Sequence, residues 1–236
     1  MQAVSLSFFR FSKPIERLWA LVMMGAARPM IRRVPGIKFW KLCGSGTGEG
    51  FTPIPNTAVY AILTTWESDV IAHQQIMTSK LWRLYRKKAI EDWTVFLSPT
   101  STRGQWSGQL PFIVKKSQNP GPLAVLTRAT IKPRVALKFW SRVPDISKMI
   151  GSDANVIFKI GIGEVPLLHQ VTFSIWPDAK SMTKFARDAN GPHQHAINAV
   201  RQGNWFREEL YTRFVVTGDL GTWGGQSPLR NWISAV

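Results

Sequence analysis

One order of elements is written twice along this chain, and that repeat limits the fold more than any other feature. In the first half Val4 to Phe11 reads as a strand, and Pro14 suits the first turn of a helix running to about Ala27. Ile37 to Cys43 and Thr57 to Trp66 are apolar, β-branched and aromatic, as strands are. Glu67 to Lys88 has helical periodicity, with Val70, Met77, Leu81 and Leu84 on one stripe, and Trp93 to Leu97 reads as a fourth strand. The second half runs in parallel: Leu123 to Ile131 is a strand, Pro133 opens a helix through Phe139 and Trp140, and Asn155 to Asp178 reads as strand, Gly-rich turn, strand. A helical region from Ala179 to about Gln202 and a strand from Trp205 to Val216 complete the set.

Particular residues recur at a spacing of roughly 115 to 120 positions, the mark of an internal repeat. Lys13-Pro14 echoes Lys132-Pro133, Trp19 echoes Trp140, Gly46-Thr47-Gly48-Glu49 echoes Gly161-Ile162-Gly163-Glu164, Trp66 echoes Trp176 and Trp93 echoes Trp205. The order β-α-β-β-α-β is the ferredoxin-like plan, an antiparallel sheet with two helices on one face. The expected fold is therefore α+β: tandem ferredoxin-like repeats of the dimeric α/β-barrel type, with residues 1–100 as the first repeat and 123–236 as the second. The halves could close one barrel or pair with a second chain as a homo-oligomer. The connecting segment, 101–122, belongs to a stretch from Ser98 rich in Ser, Pro, Gly and basic residues. It is long for a linker, as a lid or a surface contact would be.

Thirty Lys and Arg against fourteen Asp and Glu give a formal charge of +16, which implies an acidic partner: nucleic acid, an anionic membrane surface or an acidic protein. No RNA-recognition or helix-turn-helix signature favours nucleic acid, whose binding would weaken steeply with salt. A single cysteine, Cys43, leaves no intramolecular disulfide and no Cys-rich zinc site, so a reducing cytoplasmic setting is expected. No apolar run approaches the roughly 18 to 20 residues that span a bilayer. Leu18 to Ala27, followed by Arg28, Arg32 and Arg33, could lie at a membrane surface or pack as an amphipathic helix.

The glycine run Gly44 to Gly50 invites a phosphate-binding reading, but Thr52-Pro53-Ile54-Pro55 leads into a strand where the motif needs a helix. A tight turn beside a pocket suits it better. No nucleophile elbow and no His-Glu-x-x-His is present, and the scattered acidic residues disfavour a magnesium site or a glycosidase carboxylate pair. Four histidines remain. His169 leads an apolar face with Val171, Phe173 and Ile175, either as a core histidine or as a pocket ligand. Pro192 restarts a helix after Gly191, and His193 then shares a stripe with Ala196, Ile197 and Val200, either structural or metal-ligating. Near a helix N-terminus its imidazole is held neutral, as a metal requires. His195 points toward solvent, His73 lies on the flank of its stripe, and Cys43 reads as a small buried residue. If helices cover the apolar face of the sheet, His169 and His193 approach one space.

The segments Ser5 to Phe11, Phe39 to Phe51, Pro55 to Leu63, Asn155 to Asp178 and Trp205 to Tyr211 together resemble the spheroidene monooxygenase family of carotenoid biosynthesis in phototrophic bacteria. The resemblance implies a monooxygenase with non-covalent haem that introduces a keto group at C-2 of acyclic carotenoids, using dioxygen and a reduced ferredoxin. Within that frame the helix-stripe argument makes His193 the haem-iron ligand, with His169 second as a cofactor contact and the candidate catalytic residue. A membrane-borne substrate implies peripheral docking on anionic lipid, and the Arg28 to Arg33 region and the Arg83 to Lys88 cluster are the candidate contacts. The same basic surface suits an acidic ferredoxin. The competing class is a haem or carotenoid carrier on this fold, or a charge-driven nucleic-acid binder.

Overall fold

The computed structural model describes residues 2–48, 52–114, 121–141, 155–186 and 203–232. Its first half runs β1 (Ala3–Arg10), α1 (Pro14–Ile31), β2 (Ile37–Gly46), β3 (Pro55–Trp66), α2 (Asp69–Thr78), α3 (Lys80–Lys88) and β4 (Glu91–Gly104). The second runs β5 (Leu123–Ile131), a 3-10 turn at Pro133–Val135 entering α4 (Ala136–Trp140), β6 (Phe158–Gly163), β7 (His169–Trp176), α5 (Ala179–Ala186) and β8 (Phe206–Gly221). These strands close into one barrel in the order β1-β3-β2-β6-β7-β5-β8-β4, so closure is achieved within a single chain.

Both halves use the same strand order, β4-β1-β3-β2 and β8-β5-β7-β6, and every neighbouring pair is antiparallel. The two seams between halves are unequal. β4 and β8 pair from Trp93↔Gly221 to Gly104↔Leu210, whereas β2 and β6 share Gly44↔Gly163 and Ser45↔Ile162. Of the expected echoes, Trp66 and Trp176 hold matching places, opposite the first residues of β1 and β5. The glycines match four positions away from expectation, Gly163 with Gly44 in place of Gly48. Trp205 falls before β8, whose residue in the place of Trp93 is Leu210.

Alternation along each strand sends one set of side chains inward. Val4, Leu6 and Phe8 meet Trp93, Val95 and Leu97 of β4 and Val171, Phe173 and Ile175 of β7. Phe8 stacks on Trp93 with centroids 5.6 Å apart and tilts against Phe158 at 5.4 Å. Such rings dominate a core because each removes a large apolar area from water, about 1.5–3 kcal/mol for a buried Phe.

The outward set of the first half carries a second core. Phe9, Tyr60, Ile62, Trp66 and Phe96 lie under Ala20, Met23, Ala27 and Ile31 of α1 and under Ile76, Leu81, Trp82 and Tyr85 of α2 and α3. The indoles find buried acceptors: Trp66 Nε1 donates to Ser5 Oγ at 2.9 Å and Trp82 Nε1 to Ser7 Oγ at 3.0 Å. Here the expected single helix Glu67–Lys88 is broken. Ser79 is extended (φ −66°, ψ 146°), which resets the rotational phase, so Val70 and Met77 face solvent while Ala72, Ile76, Leu81, Trp82 and Tyr85 are buried.

Candidate active site

The face shared by His169, Val171, Phe173 and Ile175 turns into the barrel and not toward helices, because the outward residues of β7 are Gln170, Thr172 and Ser174. The premise that helices cover this apolar face is therefore corrected. At the barrel end where β7 begins, the apolar interior gives way to charge. Arg128 follows Ala124 and Leu126 on the inward side of β5, and Lys41 lies between inward Phe39 and Cys43 of β2.

Four charges balance there. Arg128, 1% exposed, donates from Nη1 to Glu208 Oε1 at 2.6 Å and lies 3.8 Å from Glu164 Oε1. Lys41 Nζ pairs with Glu164 Oε2 at 2.7 Å. Two cations against two carboxylates leave the cluster near neutral, the condition under which buried charge is tolerated. His169 Nδ1 is buried 3.8 Å from Glu164 Oε1 with no hydrogen-bond partner among the described residues, and Arg128 Nε is likewise without one. Burial pushes the imidazole of His169 below its ordinary pKa of 6.5; Glu164 opposes the shift, while Arg128 and Lys41 add to it. The ring is held neutral, so it can accept a proton or ligate.

A turn seals this end. Gly104 takes φ +95° where a Cβ would lie 2.0 Å from the Glu209 carbonyl oxygen, so only glycine lets the chain turn there. The following Trp106–Gln109 bridge drives Trp106 wholly inside, and its Nε1 donates to Glu164 Oε1 at 2.6 Å. Ser107 N and Gly108 N donate to the two oxygens of Glu208, and Lys41 Nζ donates to Ser107 Oγ at 2.7 Å. Residues 104–109 of the connecting segment thus lie over this end of the barrel, while 101–104 belong to β4. Sequence reasoning missed Lys41, Trp106, Arg128, Glu164 and Glu208, although a charged residue at the inward parity of an apolar strand is a legible signal.

Outside the barrel, over the short β2–β6 seam, lies a cavity of about 250 Å³. Leu21 and Met24 of α1, Trp140 of α4, and Val165, Pro166 and Leu167 supply its apolar walls; Gly44, Ser45, Gly46 and Gly163 form its floor. The glycine run therefore does turn beside a pocket, although residues 49–51 lie outside the described set. Trp140 Nε1 donates to the Leu167 carbonyl at 2.9 Å, fixing one wall. His169, Gln170 and Glu164 are among the polar groups that reach it.

Of the other candidates, His193 and His195 lie outside the described residues. His73 is spent on structure: it stacks on Phe96 at 3.7 Å and its Nδ1 faces the Asp69 carbonyl at 3.0 Å. Cys43 is fully buried and its pKa is driven far up by that burial, so it is a packed thiol. Among the described residues no group of three or more His, Cys, Asp or Glu side chains could hold a metal ion.

No family model matches the chain. It is 50% identical to spheroidene monooxygenase of Cereibacter sphaeroides over 236 residues, covering 100% of this chain and 73% of the relative. To spheroidene monooxygenase of Rhodobacter capsulatus it is 47% identical over 234 residues, 98% of this chain and 97% of the relative. Among solved structures, an aldoxime dehydratase matches with a TM-score of 0.62 at 10% identity, covering 93% of this chain and 84% of that one, a likeness of fold. With identity of this level along its full length, the chain belongs to the spheroidene monooxygenase family.

Proposed function

We propose that this protein is a haem-dependent monooxygenase that introduces a C-2 keto group into acyclic carotenoids, of the spheroidene to spheroidenone type. The observation that carries the reading is the full-length identity of 50% and 47% to two spheroidene monooxygenases. Two successive hydroxylations at one carbon give a geminal diol, which loses water to the ketone. Each uses one dioxygen and two electrons, for which an acidic reduced ferredoxin is a fitting donor to a chain of charge +16. The two halves read as tandem ferredoxin-like repeats of the dimeric α/β-barrel type.

The residues present fit a non-covalent haem. On the outer face of the second half, Ala129, Gly161 and Thr172 are small where the first half carries Phe9, Leu42 and Ile62, the room a planar group would need, and His169, on the inner face at the cavity edge, is neutral with a buried nitrogen that has no partner among the described residues. Haem would supply the activation of dioxygen. On the helix-stripe argument, His193, outside the described residues, would hold the haem iron. The apolar cavity walls Leu21, Met24, Val165 and Leu167 would hold and orient one end of the polyene and keep water out. His169, at the edge of that cavity, would hold a proton on its ring, with Glu164 fixed opposite by Trp106 and Lys41.

Purified protein titrated with haem should develop a Soret band that shifts in His193→Ala. Incubated with spheroidene, dioxygen and a reducing system, it should yield a pigment that has gained one oxygen and lost two hydrogens. Failure to take up haem would sink the oxygenase reading; haem uptake with unchanged pigment would leave a carrier.

A further inference from the structure

Exposed apolar side chains are scattered over most protein surfaces, but here seven of the fifteen large ones among the described residues belong to the three segments around one opening. Along α1, Ile15, Leu18 and Val22 follow each other at three- and four-residue spacing, hence on one face, while Ala20, Met23, Ala27 and Ile31 face the core. Leu18 is 56% exposed and Val22 59%, and Leu21, one turn along from Leu18, is a wall of the cavity. Across the opening stand Ile54, exposed between the cavity-lining Pro53 and Pro55, and Val165 and Leu167, which line the cavity and are themselves exposed. Three separate chain segments thus present apolar groups to water around one cavity mouth.

Among the described residues, the exposed charge around the patch is mainly positive. Beyond the apolar part of α1 come Arg28, Arg32 and Arg33, all exposed, and exposed Arg134 precedes and exposed Lys138 lies on α4, whose Trp140 is the opposite wall. Glu16 is the sole acidic residue of α1. No helix among the described residues is long and apolar enough to cross a membrane. An apolar centre with a basic margin is the form of a surface that sits in the interface of an anionic bilayer: the side chains enter the acyl boundary while the cations meet lipid phosphates.

We propose that this face rests on an anionic bilayer and that the cavity opens into the lipid, so that an apolar substrate passes from membrane to cavity without crossing water. Of the basic regions, Arg28–Arg33 belongs to this face because it continues α1, whose Leu21 and Met24 are cavity walls. The route rests on the carotenoid reading above; the docking face does not.

Flotation of the full-length protein with carotenoid-free vesicles of phosphatidylcholine and phosphatidylglycerol tests the face by itself. Wild type should float with the vesicles, less so as phosphatidylglycerol is withdrawn. The variant Ile15→Glu, Leu18→Glu, Val22→Glu, whose positions touch no core, should lose at least about tenfold in vesicle affinity. Arg32→Glu with Arg33→Glu should lose about tenfold on anionic vesicles. The control Val70→Glu with Met77→Glu, equally exposed on α2, should bind as wild type does. Equal binding by wild type and the triple variant, a matching loss in the control, or a dimer in solution that the triple variant dissolves would each overturn the proposal. Ketone formation on detergent-dispersed spheroidene reads the enzyme separately: its absence in wild type strikes the oxygenase reading and leaves the vesicle result standing.

Discussion

The two halves of the barrel share a strand order and differ in what they present to the layer outside it. Register places Phe9, Leu42, Tyr60 and Ile62 of the first half opposite the same partners as Ala129, Gly161, Gln170 and Thr172 of the second. Four large side chains that fill the space beneath helices are replaced by small or polar ones. Inside the barrel the change runs the same way, from apolar to polar: Phe8 matches Arg128, and Val59 matches His169. One half has spent its outer face on stability, under α1, α2 and α3. Among the described residues the other carries smaller outward groups there, with Leu123 and Trp176 packed on Met182 of α5, and supplies Arg128, Glu164, His169 and Glu208 to the polar cluster that Lys41 of the first half completes.

If the first half is the stabilising one, cutting its outer core should cost most. Trp82→Ala removes a fully buried ring and leaves Ser7 with one partner fewer, and should lower stability by about 3–5 kcal/mol in urea unfolding, haem present or absent. Next in size is the second half's interior: Arg128→Met strands Glu208 without its cation and should cost about 3 kcal/mol in the same measurement. If it is instead neutral, the cluster is not a balanced set.

Restoring the first half's outer face onto the second sharpens the contrast further. Thr172→Ile with Gln170→Tyr copies Ile62 and Tyr60, and should lower haem uptake by tenfold or more, about 1.4 kcal/mol, while global stability moves less than that. Haem titration followed by the Soret band checks it; unchanged uptake would mean that the small residues are not a cradle.

The smallest expected effect is in pH. His169 is neutral in the folded protein and its pKa lies below the ordinary 6.5, so between those two values the unfolded chain binds the extra proton. Its contribution is therefore complete above about pH 6.5 and is lost as pH falls through that window. Melting temperature from pH 7 to 5 should drop by about 1–2 °C more in wild type than in His169→Gln.

Much of this frame was legible because it depends on local pattern. The β5 boundaries, Leu123 to Ile131, follow from alternation alone, and the proline starts of α1 and of the Pro133 turn follow from fixed φ. What escaped depends on closure. Whether the face of His169 looks at helices or into a barrel is decided by strands more than a hundred residues away, and the break at Ser79 by how two short helices pack on one sheet. Arg128 and Lys41 could have been flagged by parity, but their partners Glu164 and Glu208 come from other strands, and Trp106 comes from a segment whose sequence reads as linker.

The seam between β2 and β6 has a consequence for motion. Every other neighbouring pair in the barrel is joined along most of its length, whereas two residue pairs, Gly44↔Gly163 and Ser45↔Ile162, hold this one, helped by Ser45 Oγ donating to the Gly161 carbonyl at 2.9 Å. Local opening begins where few hydrogen bonds must break. Amides at Gly44, Ser45 and Gly163 should thus exchange with solvent well before those of the β4–β8 ladder, which would put the first local opening of the barrel at the floor of the cavity, beneath the place where a long, stiff polyene would be admitted and released.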